Sequence, residues 1–202
     1  MKKFCKRAYL ALILIFLYLP IVVLIVQSFN AGTSRAKWEG FSFRWYTELF
    51  QDTRIMNALT VTVTIALLAM VVATILGTLA AIGIHAMKKR PQSFMMTLTN
   101  LPNTMPDIVT GISLMLLFLF TKVDRGYVTM LLAHITFDTP YVILSVLPKL
   151  KQMNRHTYEA ALDLGATPMY ALFHVIIPEC MPGIITGAML AFTLSLDDFT
   201  IS

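Results

Sequence analysis

The stretch Glu159–Glu179, "EAALDLGATPMYALFHVIIPE", lies between two long apolar runs and decides how the rest of the chain is read. It is too polar to span a bilayer and too apolar for a plain loop. Asn154 is a suitable N-cap for a helix starting at Arg155. Gly165 suits the C′ position that closes that helix. Thr167 is a second N-cap, with Pro168 at the first helical position of a second piece. The prediction is helix, tight elbow, helix, with Pro178 and Pro182 bracketing the entry into the next apolar run. Arg155, Glu159 and Asp163, spaced i, i+4, share a polar face, while Tyr158, Ala161, Leu162 and Gly165 lie on a small apolar one. Two readings are open from composition: an interfacial helix with a solvated charged face, or a stiff element gripped by a partner.

The surroundings decide the class. Of 202 residues 57% are hydrophobic and only 13% charged, against roughly 25% charged in a soluble domain. The charges cluster, so long stretches carry none, and the expectation is one all-α, polytopic membrane domain over 1–202. The net charge of +5 comes from lysines and arginines that flank apolar runs, which orientation in a membrane explains better than nucleic acid does. The two cysteines, Cys5 and Cys180, have no metal-ligand or disulfide spacing and read as unpaired thiols. "MKKFCKR" is followed by an apolar run longer than a signal-peptide core and by no clear cleavage site, so it reads as an uncleaved first span.

A spanning helix needs about 20 mostly apolar residues. Five segments qualify, at about 8–29, 58–87, 93–120, 127–147 and 180–201. Unopposed basic clusters stand at Lys2–Arg7, at Lys88–Arg90 and at Lys149–Arg155. The positive-inside rule therefore places the N-terminus, the turn near residue 90 and the 154–178 segment in the cytoplasm, in agreement with strict alternation of five spans. The segment 30–57 is then external. Its "WEGFSFRWYTELF" (38–50) is aromatic and amphipathic, suited to lying at the lipid interface or to docking an external partner.

Acids inside apolar spans are costly and usually face a cavity. Asp138 falls near the middle of its span, and Asp107 and Asp197 toward the outer half, with Asp198 about 100° around the helix from Asp197. Phe137, Tyr141, Phe192 and Phe199 lie near them in sequence, and Pro102 and Pro106 are expected to break the third span just before Asp107. Such a set suits a flexible multiply charged cation, with carboxylates for its amines and aromatic faces between them. Structural alternatives stand beside this. His134 and Asp138 at i, i+4 could satisfy each other. Asp107 could cap the helix restarting after Pro106, and Asp197 and Asp198 could be solvated.

The pattern Glu159, Ala160, Ala161, Gly165, Ile176 and Pro178 resembles the EAA loop of ABC importer permeases, with Ile177 where that family usually has Leu. "LYLPIVVLIVQSFN" (17–30), "WEGFSFRWYTELF" (38–50), "MPDIVTGISLMLLF" (105–118), "AHITFDTPYVILSVLPKL" (133–150) and "FTLSLDDFTIS" (192–202) extend the resemblance to the polyamine permeases over essentially the whole length. It implies a type I ABC importer permease (MetI-like) fold and a non-catalytic subunit in a bacterial inner membrane, importing spermidine or putrescine. The loop residues Glu159, Ala160, Ala161, Gly165, Ile176 and Pro178 would couple to the motor. Asp107, Asp138, Asp197, Asp198, Tyr141 and Phe192 would line the cargo pathway.

The partners it implies are a PotB-like second permease, a PotA-like ATPase dimer and a PotD-like external substrate-binding protein, in contact with membrane lipid and without nucleic acid, metal or cofactor. The sequence has no G-x-x-x-x-G-K-[ST] loop, so the motor is expected on another polypeptide. The family has a sixth span after the "DDF" region; the sequence stops at Ser202, so five of six are expected, from a fragment or an early stop. An importer of another small solute and a proton-coupled secondary transporter using Asp107, Asp138 and His134 are the alternatives. Intramembrane acids disfavour an anionic cargo. The second alternative lacks detectable inverted repeats and leaves the Glu159–Pro178 pattern unexplained.

Overall fold

The computed structural model describes residues 2–34, 37–105 and 107–198. Among these the secondary structure is helical apart from a single isolated β-bridge. The chain divides into two compact units, residues 1–60 and 61–202, with the boundary inside one long helix.

In the first unit, α1 (Lys2–Gln27) leads into a closely organised loop and then α2 (Arg44–Gln51). The loop is built around the side chain of Asn30, which is 2% exposed. Its amide nitrogen donates to the carbonyls of Ser34 (3.2 Å) and Lys37 (2.7 Å), and its amide oxygen accepts from the backbone N–H of Gly32 (3.3 Å) and Glu39 (2.8 Å). Its backbone carbonyl accepts from the Trp45 indole at 2.8 Å, and its backbone bridges to Phe41. Phe29, Phe41, Phe43 and Tyr46 close over the loop with ring centroids 5.1–6.2 Å apart. Gly40 has φ +120°, a turn conformation that a side chain would strain.

The long helix α3 (Thr53–Ala86) starts where Asp52 accepts hydrogen bonds from the N–H groups of Arg54 and Ile55. After Lys88 the chain forms α4 (Lys89–Thr104) and α5 (Asp107–Phe120), bent by 106° at the break between them. Pro102 is accommodated inside α4; Met105 caps that helix, and Pro106 lies outside the described residues. α6 (Tyr127–Gln152) follows, then α7 (Arg155–Asp163), α8 (Pro168–Ala171), a π-helical turn (Leu172–Ile176) and α9 (Ile177–Asp197). Among the described residues four helical stretches are long and apolar enough to cross a membrane, Tyr9–Gln27, Thr53–Ala86, Tyr127–Gln152 and Pro168–Asp197, and a fifth if the bent α4–α5 pair is one span.

The core of the second unit centres on α6. One face of α9 carries Cys180, Gly183, Gly187, Ala191 and Ser195, all buried. These small residues let the backbones approach, as in other membrane helix pairs. A methyl group at Gly183 would lie 2.9 Å from the Ser145 carbonyl, and one at Gly187 would lie 3.2 Å from Val142 Cα. The descending order of partners makes α9 antiparallel to α6. α3 presents a second row of small buried residues, Ala69, Ala73, Gly77 and Ala81, and Gly77 approaches the same Val142 of α6 that Gly187 approaches. Val142, Val146, Leu147 and Leu150 of α6 form the core with Ala73, Ala81 and Ile84 of α3 and Cys180 of α9.

Candidate functional site: the inner elbow and a buried polar layer

The elbow forms as its sequence dictates. The Asn154 side chain accepts from the His156 N–H at 3.1 Å and starts α7. At the far end Gly165 adopts φ +88°. Its N–H donates to Leu162 O at 2.9 Å and the Ala166 N–H donates to Ala161 O at 3.0 Å. That pair of bonds is the Schellman closure, and the αL glycine is what permits it. The Thr167 hydroxyl then accepts from the Tyr170 N–H at 3.3 Å with Pro168 opening α8. Local bonds at the bend thus join the two helical pieces.

Its outer surface is unlike that of a solvated helix. Leu164 is 89% exposed, and Met169, Tyr170 and Phe173 are all more than half exposed. Ala161, Leu164, Gly165, Ala166, Thr167 and Tyr170 line a shallow hollow at the bend. Glu159 is exposed and lies 3.3 Å from the His156 ring. Behind the elbow the chain does not break before the span. It runs through the π turn, where the His174 ring stacks on Tyr170 at 4.0 Å and its Nδ1 lies 3.1 Å from the Tyr170 carbonyl. Nothing in the sequence reading anticipates this turn.

The second cluster is buried. His134 and Asp138 of α6 and Ser195 of α9 are 1%, 0% and 2% exposed. His134 Nδ1 and the Ser195 hydroxyl share a 2.8 Å hydrogen bond. The alternative that His134 and Asp138 satisfy each other is therefore not what the structure shows. His134 is bonded across to α9, and both Asp138 carboxylate oxygens are buried without a hydrogen-bond partner. Asp198, half-buried just past the end of α9, acts electrostatically on both His134 and Asp138. Asp197 ends α9 as an exposed residue. Phe137 packs against Tyr141 with centroids 5.5 Å apart, one residue and three residues from Asp138. Phe192 is half-buried on α9. Asp107 is the first residue of α5; its side chain, like Phe199, lies outside the described residues. Of the four acids, then, Asp138 and Asp198 come together around His134 and Ser195, whereas Asp197 points elsewhere. Cys180 is a buried free thiol, and no group of three His, Cys, Asp or Glu suited to a metal occurs among the described residues.

Residues 73–202 match the family described as the inner membrane component of binding-protein-dependent transport systems. The chain belongs to this permease family. Its relatives include the putrescine transport system permease protein PotI of Escherichia coli K12, 42% identical over 194 residues that cover 93% of this chain and 69% of that protein. The spermidine/putrescine transport system permease protein PotC of Haemophilus influenzae is 36% identical over 98% of this chain and 77% of its own length. PotC of Escherichia coli K12 is 34% identical over 98% and 75%. The all-helical fold with four or five apolar spans is that of a multi-pass permease, as the resemblance in sequence implied. Its relatives are transport proteins and not enzymes by name.

Proposed function

We propose that this permease, as a single transmembrane domain, is one of the membrane subunits of an ATP-driven polyamine importer, seated on a separate ATPase dimer through the elbow at Glu159–Pro178. A second permease and an external substrate-binding protein complete the assembly. The observation that carries the coupling role is the rigid, Schellman-closed bend that holds Leu164 almost fully exposed with Met169, Tyr170 and Phe173 beside it. Water is a poor neighbour for that much apolar surface, and burying one such leucine is worth about 1.5–3 kcal/mol. The small residues Ala160, Ala161 and Gly165 admit a partner backbone, and Glu159 offers a carboxylate to a basic group across the interface. Ile176 and Pro178 join the elbow to its span. Because the bend is fixed internally, it passes on a displacement as a rigid body.

The basic clusters put the elbow and the N-terminus on the cytoplasmic side. The cargo assignment rests on relatives named for putrescine and spermidine transport. It also rests on acids at span positions, where a polyamine's amines would meet Asp107, Asp197 and Asp198 near the outer half, with Tyr141 and Phe192 as apolar and cation–π surface. Asp138 lies deeper on the same route.

The coupling role is tested by a Leu164→Cys variant in membranes holding the full set of subunits. A short bifunctional maleimide should join it to the ATPase, in a yield that changes with ATP. Absence of any ATPase adduct while the assembly remains intact removes the elbow from the coupling interface.

A further inference from the structure

A hollow of about 490 Å³ opens between α5 and α6. Its walls are apolar, with Ile112, Met115 and Phe118 from α5 and Met130 and Ala133 from α6. One end lies at the link 121–126 between the two helices, where Arg125 completes the lining. The volume is that of a small-molecule pocket, roughly 300–1,000 Å³. Arg125 is the only charged residue of the lining. Among the described residues its guanidinium has no hydrogen-bond or ion-pair partner. Thr129, the other polar side chain there, is already occupied. Its hydroxyl donates to the Gly126 carbonyl and accepts from the Gly126 N–H, each at 2.8 Å.

The depth of the hollow says what fits it. It runs from Phe118 to Gly111 along α5 and from Gly126 to Ala133 along α6, about 10 Å on each helix. A hydrocarbon layer is about 30 Å thick, so one leaflet supplies about 15 Å. A partner helix lying along α5 and α6 needs a groove through most of the layer, whereas an acyl chain needs only part of one leaflet. Tyr127 opens α6, and tyrosine favours the headgroup level, so Arg125 stands where phosphates lie. The link adds to its charge. Lys122 has φ +54°, and the N–H groups of Lys122 and Val123 donate to Leu119 O (3.2 Å) and Phe118 O (3.0 Å). This is a second Schellman closure, at a position where glycine is the less strained residue. Lys122 and Arg125 against Asp124 leave the link with an excess positive charge. Such a link repels a cationic cargo, which sets the hollow apart from the route proposed for polyamines.

We propose that this hollow binds an anionic phospholipid, with one acyl chain against Ile112, Met115 and Met130 and the phosphate held by Arg125. The planar fork of arginine matches two phosphate oxygens at once. A headgroup that carries an amine would bring a third cation to Lys122 and Arg125, so phosphatidylglycerol is favoured over phosphatidylethanolamine. The site itself is independent of the ATPase and cargo readings above. Its assignment to the outer leaflet rests on the orientation proposed there.

The test is native mass spectrometry of the chain with the subunits that co-purify with it, in detergent, titrated with phosphatidylglycerol or with phosphatidylethanolamine. A saturable phosphatidylglycerol adduct is expected, held about tenfold more tightly than its phosphatidylethanolamine counterpart. Arg125→Gln should abolish that preference, and Arg125→Lys should keep part of it. Ile112→Trp fills the hollow and should remove the adduct. Leu116→Trp, at an exposed position of α5 outside the lining, should leave it in place. Equal binding of the two lipids by the unaltered chain, or a preference that survives both Arg125→Gln and Ile112→Trp, overturns the proposal. So does loss of a protein subunit rather than of lipid in Ile112→Trp, which would make this face a subunit contact. None of these outcomes bears on whether Leu164 reaches the ATPase.

Discussion

Replacing Gly77 by alanine puts a methyl carbon 2.6 Å from Val142 Cβ, 2.7 Å from its Cγ1 and 3.1 Å from the Thr139 carbonyl oxygen. Carbon pairs are comfortable at about 3.5–4.0 Å, so the new atom is about 1 Å too close to a Cβ that cannot rotate away. The helices must separate, which overpacking data put at about 1–3 kcal/mol. Against this stands the better helix propensity of alanine, up to about 1 kcal/mol. The net expectation is a loss of about 1–2 kcal/mol. Gly83 lies on the same helix, and a methyl group there meets nothing within 4 Å. Gly83→Ala should therefore be neutral or slightly stabilising. The buried free thiol of Cys180 supplies the assay: in a Cys5→Ala background, a fluorogenic maleimide labels it only as the core opens. For a chain of this size 1 kcal/mol corresponds to about 2–4 °C, so Gly77→Ala should open at a temperature about 2–8 °C lower and Gly83→Ala at an unchanged or higher one. Equal behaviour of the two variants would refute the close approach of α3 to α6 at Gly77 and Val142.

Two further outcomes follow from the hydrogen bonds. Asn30→Ala removes four side-chain hydrogen bonds that tie residues 30–39 together, at about 0.5–1.5 kcal/mol each, and should leave the loop open to a protease at low concentration while the second unit stays resistant. Ser195→Ala leaves the buried His134 ring nitrogen without its partner; a loss of about 1–3 kcal/mol is expected, read as an earlier onset of Cys180 labelling, with Ser195→Thr restoring part of it.

The elbow was legible because every device in it is local. Asn154, Gly165, Thr167 and Pro168 act within three or four residues of themselves, so their chemistry can be read along the chain. The break before Asp107 was also legible, although Pro102 proved compatible with α4 and the helix runs on to Thr104. What was not legible depends on residues far apart. His134 and Ser195 are 61 positions from each other. The i, i+4 spacing of His134 and Asp138 suggested a pair, but the tertiary partner won. The Asn30 loop likewise depends on backbone groups up to nine residues away whose approach no periodicity announces. The start of α3 at Thr53 was hidden because Arg54 and Asn57 interrupt its opening turns and fail an apolar-window reading, yet Asp52 caps it. The π turn has no composition of its own.

That π turn takes up a residue without adding rotation. A π turn uses more residues per turn than an α-helix, so the five residues Leu172–Ile176 sweep about the angle that four would sweep in an α-helix. A one-residue deletion there that let the segment wind as ordinary α-helix would leave Leu164 facing nearly the same quadrant of the inner leaflet. Rewinding all five residues as α-helix would instead swing the elbow by roughly 100° around the span axis. The direction in which this protein meets whatever lies beneath the membrane is thus held by the manner of winding, and a lost residue is tolerated there better than a change of winding.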